Sequence, residues 1–160
     1  MQNHHKFRLF LSAVLIFLVL GLGKTASAED IILNDLGGQP MNFSSYSPGK
    51  PAILFFWTTW CPYCREEIRK LNLQSPQIAK DGVVLLGVNV GEADYKVRGF
   101  FKDYALNFKM FLDRYTLLAD KYDVIGVPTY ILLDKAGKVI SRYQSLPENY
   151  KSLLFNPAPK

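Results

Sequence analysis

The chain has 160 residues, of which 49% are hydrophobic, and this suits one domain with a single core. Its formal net charge is +5, but the basic residues do not cluster on one face, which argues against a nucleic-acid partner. Residues 1–28 hold three of the basic residues and no acid, so the remainder carries 16 basic and 14 acidic residues and a net charge of about +2.

The first 28 residues have the order of regions found in a secretory signal peptide. A short basic start precedes the apolar residues 9–23, and Ala26-Ser27-Ala28 offers an A-x-A cleavage pattern. The apolar stretch is shorter than the roughly 20 residues that a spanning helix needs. We therefore predict a cleaved signal peptide at 1–28, with an uncleaved membrane anchor as the alternative, and a mature domain at 29–160. This predicts a location in the periplasm or on the extracytoplasmic face.

Residues 29–49 mix short apolar pieces with glycine and proline turn signals, which predicts an N-terminal hairpin or extended segment. The apolar run at Ala52–Trp57 predicts a buried strand, and a helix should follow from Pro62 towards Lys80. Pro76 should end or kink that helix near Ser75, because proline has no N–H to donate to the preceding turn.

The second half of the chain alternates strand and helix patterns. Strands are predicted at 83–90, 109–112, 129–133 and 139–143, and helices at 93–104, 117–122 and 147–155. The continuous apolar run at 83–90 is typical of a strand covered on both faces, whereas the last strand alternates and should lie nearer an edge. The pattern predicts an α/β fold with a mixed sheet flanked by helices.

Cys61 and Cys64 are the only cysteines, and they lie where the strand at 52–57 meets the helix. Residues three apart share one face of a helical turn, close enough for a disulfide. Because a helix N-terminus favours a thiolate, Cys61 should have a lowered pKa and attack, and Cys64 should resolve the mixed disulfide. Such exchange needs no cofactor.

Two other interpretations of the cysteine pair are weaker. A purely structural disulfide would stabilise little, because the loop it closes is very short. A zinc site would need more ligands, and the only histidines, His4 and His5, lie in the leader, so no metal is expected.

Residues 56–67, FWTTWCPYCREE, resemble the active-site segment of thioredoxin-like proteins, particularly the exported TlpA/ResA-type thiol–disulfide oxidoreductases. The likeness continues through Val88–Glu92 and Gly126–Thr129 to residues 134–139. WCxxC with a downstream Val-Pro-Thr is a specific combination. The resemblance implies a thioredoxin fold with an N-terminal β-hairpin extension.

The resemblance also implies roles for residues outside the cysteine pair. Pro128 is expected to be cis and to face the cysteines, so that the Val127 backbone can pair with an extended substrate. Glu92 is expected in a cavity beside the buried cysteine, where burial would raise its pKa and let it accept the Cys64 proton. From its pattern alone, Glu92 would merely open the next helix.

The residues around the cysteines receive simpler interpretations. Trp60 should form an apolar rim, and with Pro62 and Tyr63 it completes the predicted substrate-binding set. Arg65 is interpreted as part of a solvated helix face, and Glu66 and Glu67 as ordinary helix residues. Thr58 and Cys61 have the Thr-x-x-Cys spacing of peroxiredoxins. Those enzymes also carry a proline four residues before that threonine, where this chain has Leu54, so peroxidase chemistry is a minor alternative.

The function that the resemblance implies is the reduction of disulfides in extracytoplasmic proteins. Apocytochrome c is the suggested substrate, and a membrane thiol-transferring reductase is the suggested electron donor. The chain departs from the CcmG group, because Gly126–Thr129 lacks the glutamate that follows the proline there. Two alternatives stay open. The first is a disulfide-forming oxidant or isomerase, because the dipeptide Pro62-Tyr63 does not reveal the reduction potential of the cysteine pair. The second is a non-catalytic binding module.

Overall fold

A mixed sheet of seven strands forms the centre of the computed structural model, which describes residues 31–156. The predicted signal peptide at 1–28 lies outside these residues. Within the described range, no helix combines the length and the apolar character needed to cross a bilayer.

The strands are β1 (Ile32–Asp35), β2 (Pro40–Asn42), β3 (Ala52–Trp57), β4 (Val84–Val90), β5 (Lys109–Asp113), β6 (Thr129–Leu133) and β7 (Val139–Tyr143). The α-helices are α1 (Pro62–Lys80), α2 (Asp94–Phe100), α3 (Leu117–Lys121) and α4 (Tyr150–Phe155), and a 3₁₀ turn spans Phe43–Tyr46. The sheet order is β2-β1-β5-β4-β3-β6-β7, with β3, β4 and β5 parallel. The predicted mixed sheet, N-terminal hairpin and edge position of the last strand are confirmed.

Strand β3 lies in the interior, and all six of its side chains are buried. Successive side chains point to opposite faces of a sheet. Phe55 and Trp57 therefore pack against α1, α2 and α4, whereas Leu54 and Phe56 pack on the opposite face with α3. Because β3, β4 and β5 run parallel, the segments that follow them meet at the carboxyl-terminal end of these strands. The cysteine motif lies at this end of the sheet.

Gly87 in β4 makes room for the side chain that supports the end of β3. A Cβ atom at Gly87 would lie 2.5 Å from Cε of Met110, so only glycine fits without movement of that side chain. Met110 Sδ in turn accepts a hydrogen bond from Trp57 Nε1 at 2.9 Å. Met110 thereby fixes Trp57, the last residue of β3 before the cysteine motif.

The helix does not end at Pro76, contrary to one of the predicted outcomes, because α1 continues to Lys80. A residue with an N–H at position 76 would donate to the carbonyl oxygen of Asn72, one turn earlier. That oxygen instead accepts from Ser75 Oγ at 3.1 Å and from Asn107 Nδ2 at 3.2 Å. Two side chains thus replace the bond that proline cannot make.

Asp113 supports α3 from the end of β5. Its side chain is fully buried, and Oδ2 accepts from the backbone N–H groups of Leu118 at 3.0 Å and Ala119 at 2.8 Å. Burial raises the pKa of Asp113, although these N–H groups oppose the rise. We expect Asp113→Ala to lower the free energy of unfolding by about 1–3 kcal/mol, because two N–H groups lose their acceptor.

Urea unfolding of the oxidised protein measures this loss. Asp120→Ala is the matched control, because the carboxylate of Asp120 is exposed and accepts from Thr116 Oγ1 at the same helix. Equal losses in the two variants would contradict the capping role of Asp113.

Candidate active site

Cys61 and Cys64 lie at the N-terminus of α1 and form a disulfide, with their Cα atoms 5.3 Å apart. Cys61 is the N-cap residue, and its Sγ accepts a hydrogen bond from the backbone N–H of Cys64 at 3.2 Å. Pro62 occupies the first turn, where its missing N–H costs nothing. Cys61 keeps 3% of its surface exposed and Cys64 none, so Cys61 is the sulfur that a visiting cysteine can approach.

The proline loop before β6 faces the disulfide. The Val127–Pro128 peptide bond is cis, as the resemblance implied. The carbonyl oxygen of Val127 lies 3.9 Å from Cys61 Sγ. The pairing of β3 with β6 places this loop beside the cysteines, although the two segments are 66 residues apart in sequence.

Exposed apolar side chains occur both in the cysteine motif and beside the proline loop. Trp60, next to Cys61, is 64% exposed, and Tyr63, between the cysteines, is 73% exposed. Ile125 is also fully exposed, and it lines a groove of about 450 Å³ beside the proline loop. The sequence did not indicate Ile125, because an isolated apolar residue in a loop has no periodic pattern around it.

Glu92 lies at the same end of the sheet as the cysteine motif, but the contacts of its carboxylate change its pKa in the opposite direction from the one predicted. Glu92 is 7% exposed. Its carboxylate accepts hydrogen bonds from Thr59 and Asn89 and forms an ion pair with Lys96. Burial raises the pKa of Glu92, but the combined effect of Lys96, Asn89 and Thr59 is larger and lowers it. The pKa of Glu92 therefore lies below its ordinary value. The predicted rise in pKa is therefore wrong.

Glu67 is a second buried acid, and its interpretation as an ordinary helix residue is wrong. It is 9% exposed, Oε2 accepts from Tyr130 Oη at 2.7 Å, and Oε1 pairs with Lys70 Nζ at 3.0 Å. Burial and the Glu67 carboxylate raise the pKa of Tyr130 well above its usual range, so Tyr130 stays a donor. The spacing of three from Cys64, which places both on one helix face, was the sequence signal for this position.

The described residues also bear on metal binding. Between Ile31 and Asn156, no three His, Cys, Asp or Glu side chains lie close enough together to hold a metal ion.

Comparisons with known proteins agree with this arrangement. The AhpC/TSA family model matches residues 25–142. The thiol-disulfide oxidoreductase ResA of Bacillus subtilis (strain 168) is 31% identical over 170 residues, which cover 93% of this chain and 94% of that protein. ResA of Geobacillus kaustophilus (strain HTA426) is 34% identical over 143 residues, which cover 80% and 82%.

A solved structure gives the same result for the fold. The crystal structure of StoA from Bacillus subtilis matches with a TM-score of 0.61 and 28% identity, over 71% of this chain and 85% of that one. The thioredoxin fold expected from the sequence is thereby confirmed.

Proposed function

The chain belongs to the AhpC/TSA family, as a thiol–disulfide oxidoreductase of the ResA type, and we propose that Cys61 and Cys64 exchange electrons with cysteines of other proteins. One observation carries this assignment to the two residues. Their disulfide lies at the N-terminus of α1, with the more exposed sulfur 3.9 Å from the proline-loop carbonyl of Val127. A substrate strand that pairs with Val127 and Pro128 would bring its own cysteine to Cys61.

The exchange proceeds in two balanced steps when the protein acts as a reductant. The Cys61 thiolate attacks a substrate disulfide, forms a mixed disulfide, and releases one substrate thiolate, which takes a proton from solvent. Cys64 then loses its proton and attacks Cys61, which releases the second substrate thiolate. Two electrons pass to the substrate, and the Cys61–Cys64 disulfide is left. The N–H of Cys64 would stabilise the Cys61 thiolate before attack.

The second step needs a proton acceptor beside Cys64, because this side chain has no exposed surface. We assign the role to Glu67, which follows Cys64 by one turn on the same helix face. Side chains three residues apart on a helix have Cβ atoms about 5–6 Å apart. The hydrogen bond from Tyr130 Oη fixes Glu67 in its buried position.

Reduction is the direction we propose, in an exported protein. The TlpA/ResA resemblance supports both, with apocytochrome c as substrate and a membrane thiol-transferring reductase as electron donor. The A-x-A pattern at residues 26–28 supports export. The reduction potential of the Cys61/Cys64 pair, measured against glutathione, tests the direction. A value near that of thioredoxin, about −270 mV, is expected, whereas one near that of DsbA, about −120 mV, would make the protein an oxidant.

The apolar rim formed by Trp60, Tyr63 and Ile125 should bind protein substrates rather than small disulfides. We expect Ile125→Ser to raise KM for insulin about fivefold, because the variant loses apolar contact beside the proline loop. The rate with glutathione disulfide should not change, because that tripeptide makes few contacts outside the cysteines. Leu73→Ser, an exposed leucine further along α1, is the control. Equal effects of Ile125→Ser and Leu73→Ser on KM would contradict a docking role for this rim.

A further inference from the structure

Thr59, in the loop between β3 and α1, is held from two sides. Its N–H donates to Glu92 Oε2 at 2.6 Å, and its hydroxyl donates to Glu92 Oε1 at 2.7 Å. Its carbonyl oxygen accepts from Arg65 Nε at 2.9 Å. Every polar group of this buried residue therefore has a partner, and the partners come from β4's end and from α1.

The contacts of Glu92 require a carboxylate. Oε2 also accepts from Asn89 Nδ2 at 2.8 Å, and Oε1 also accepts from Lys96 Nζ at 2.7 Å. Each oxygen thus faces two donors. A glutamine amide would direct its own N–H groups at donors on one side, so a neutral side chain of the same shape cannot reproduce the arrangement.

Arg65, which donates to the Thr59 carbonyl, is itself positioned by packing. The Arg65 guanidinium lies 5.9 Å from the centre of the Phe100 ring, and that ring packs against Trp57 at a centroid distance of 5.3 Å. Thr59 is two residues before Cys61, whose N–H donates to the carbonyl of Thr58 at 3.4 Å. Fixing Thr59 therefore restricts where the Cys61 sulfur can move once the disulfide opens.

We propose that Glu92 is a positioning residue that acts through Thr59 to set the equilibrium between the Cys61/Cys64 dithiol and its disulfide. Holding the loop keeps the Cys61 sulfur close to Cys64, which raises the effective concentration of one thiol toward the other. Disulfide formation within the protein is favoured, so the dithiol becomes a stronger electron donor. This inference rests on the proposed exchange at Cys61 and Cys64.

The redox equilibrium with glutathione tests the proposal. We expect Glu92→Asp and Thr59→Val to lower the equilibrium constant for reduction of glutathione disulfide about tenfold, which corresponds to about 30 mV. Glu92→Asp keeps the negative charge and loses reach, so a shift in this variant reports position rather than charge. Thr59→Ser, which keeps the hydroxyl, should stay within about twofold of the wild type.

Arg65→Met supplies an independent variant at an exposed position. Loss of the Arg65 charge alone would make the Cys61 thiolate less stable and raise the equilibrium constant, whereas loss of the hold on Thr59 lowers it. We expect it to fall. Thermal unfolding of each oxidised variant verifies that it is folded.

The outcomes separate this proposal from the proposed function. Wild-type equilibrium constants in Thr59→Val and Arg65→Met would overturn the positioning role, even if Glu92→Asp alone shifted, because Glu92 would then not act through Thr59. An altered pH profile in Glu92→Asp without a shifted equilibrium would also overturn it in favour of proton transfer. A wild-type protein that does not exchange with glutathione would instead overturn the proposed function.

Discussion

Replacing Cys61 with serine is expected to reduce the rate of insulin disulfide reduction to that of dithiothreitol alone. A serine hydroxyl is not ionised at neutral pH and cannot form a disulfide, so the first transfer step has no substitute in this variant. The buried sulfur of Cys64 cannot take over, because it has no exposed surface. The turbidity of precipitating insulin B chain measures the rate directly.

Replacing Cys64 with serine should cause a different defect from that of Cys61→Ser. Cys61 can still attack, but the mixed disulfide has no resolving thiol within the protein, so a covalent complex with the substrate accumulates. Mass spectrometry without reductant detects that complex in Cys64→Ser and not in Cys61→Ser. Insulin reduction at the wild-type rate by both variants would contradict the exchange mechanism and favour a non-catalytic binding module.

The chain's sequence predicted the framework of this site because its strongest patterns are local. The apolar run at Ala52–Trp57, the proline at position 62 and the cysteine spacing together specify a strand, a helix start and a pair of adjacent sulfurs. The position of Pro128 opposite the cysteines depends on the pairing of β3 with β6, which no local pattern encodes. That contact was predicted only through the family resemblance.

The errors concern groups that have several partners, some of them distant in sequence. Pro76 does not end α1, and the Asn72 carbonyl that it leaves without a backbone donor accepts from Ser75 and from Asn107, which is 35 residues from Asn72. The pKa of Glu92 falls below its ordinary value because Lys96 and Asn89 donate to the carboxylate, and Thr59, 33 residues earlier, adds two further donors. Burial alone predicts the opposite direction, and only the contacts decide which effect is larger.

Glu67 was missed for a related reason. Both acids were interpreted as ordinary helix residues, and this suits Glu66, whose carboxylate is exposed and pairs with Lys70. Glu67 is turned inward by its spacing from Cys64, and Tyr130 compensates for its burial from β6. The two neighbouring acids therefore have different roles and provide a matched pair for experiment.

Glu67→Gln is expected to slow resolution of the mixed disulfide about 10²-fold near neutral pH, because the amide cannot accept the Cys64 proton. Its carbonyl can still accept from Tyr130, so the fold should be preserved. Glu66→Gln removes the adjacent exposed charge and should leave the rate unchanged. Rapid-quench measurement of mixed-disulfide decay between about pH 5 and pH 9 follows this step alone.

The pH dependence distinguishes proton transfer from a general loss of charge near the cysteines. Above the pKa of Cys64 the thiol is already ionised and needs no acceptor, so the Glu67→Gln rate should approach the wild-type rate at high pH. A charge effect acts in the opposite sense, because removing a neighbouring negative charge stabilises the thiolate and speeds attack at every pH below that pKa. A faster rate in Glu67→Gln, or one equal to that of Glu66→Gln, would exclude Glu67 as the proton acceptor.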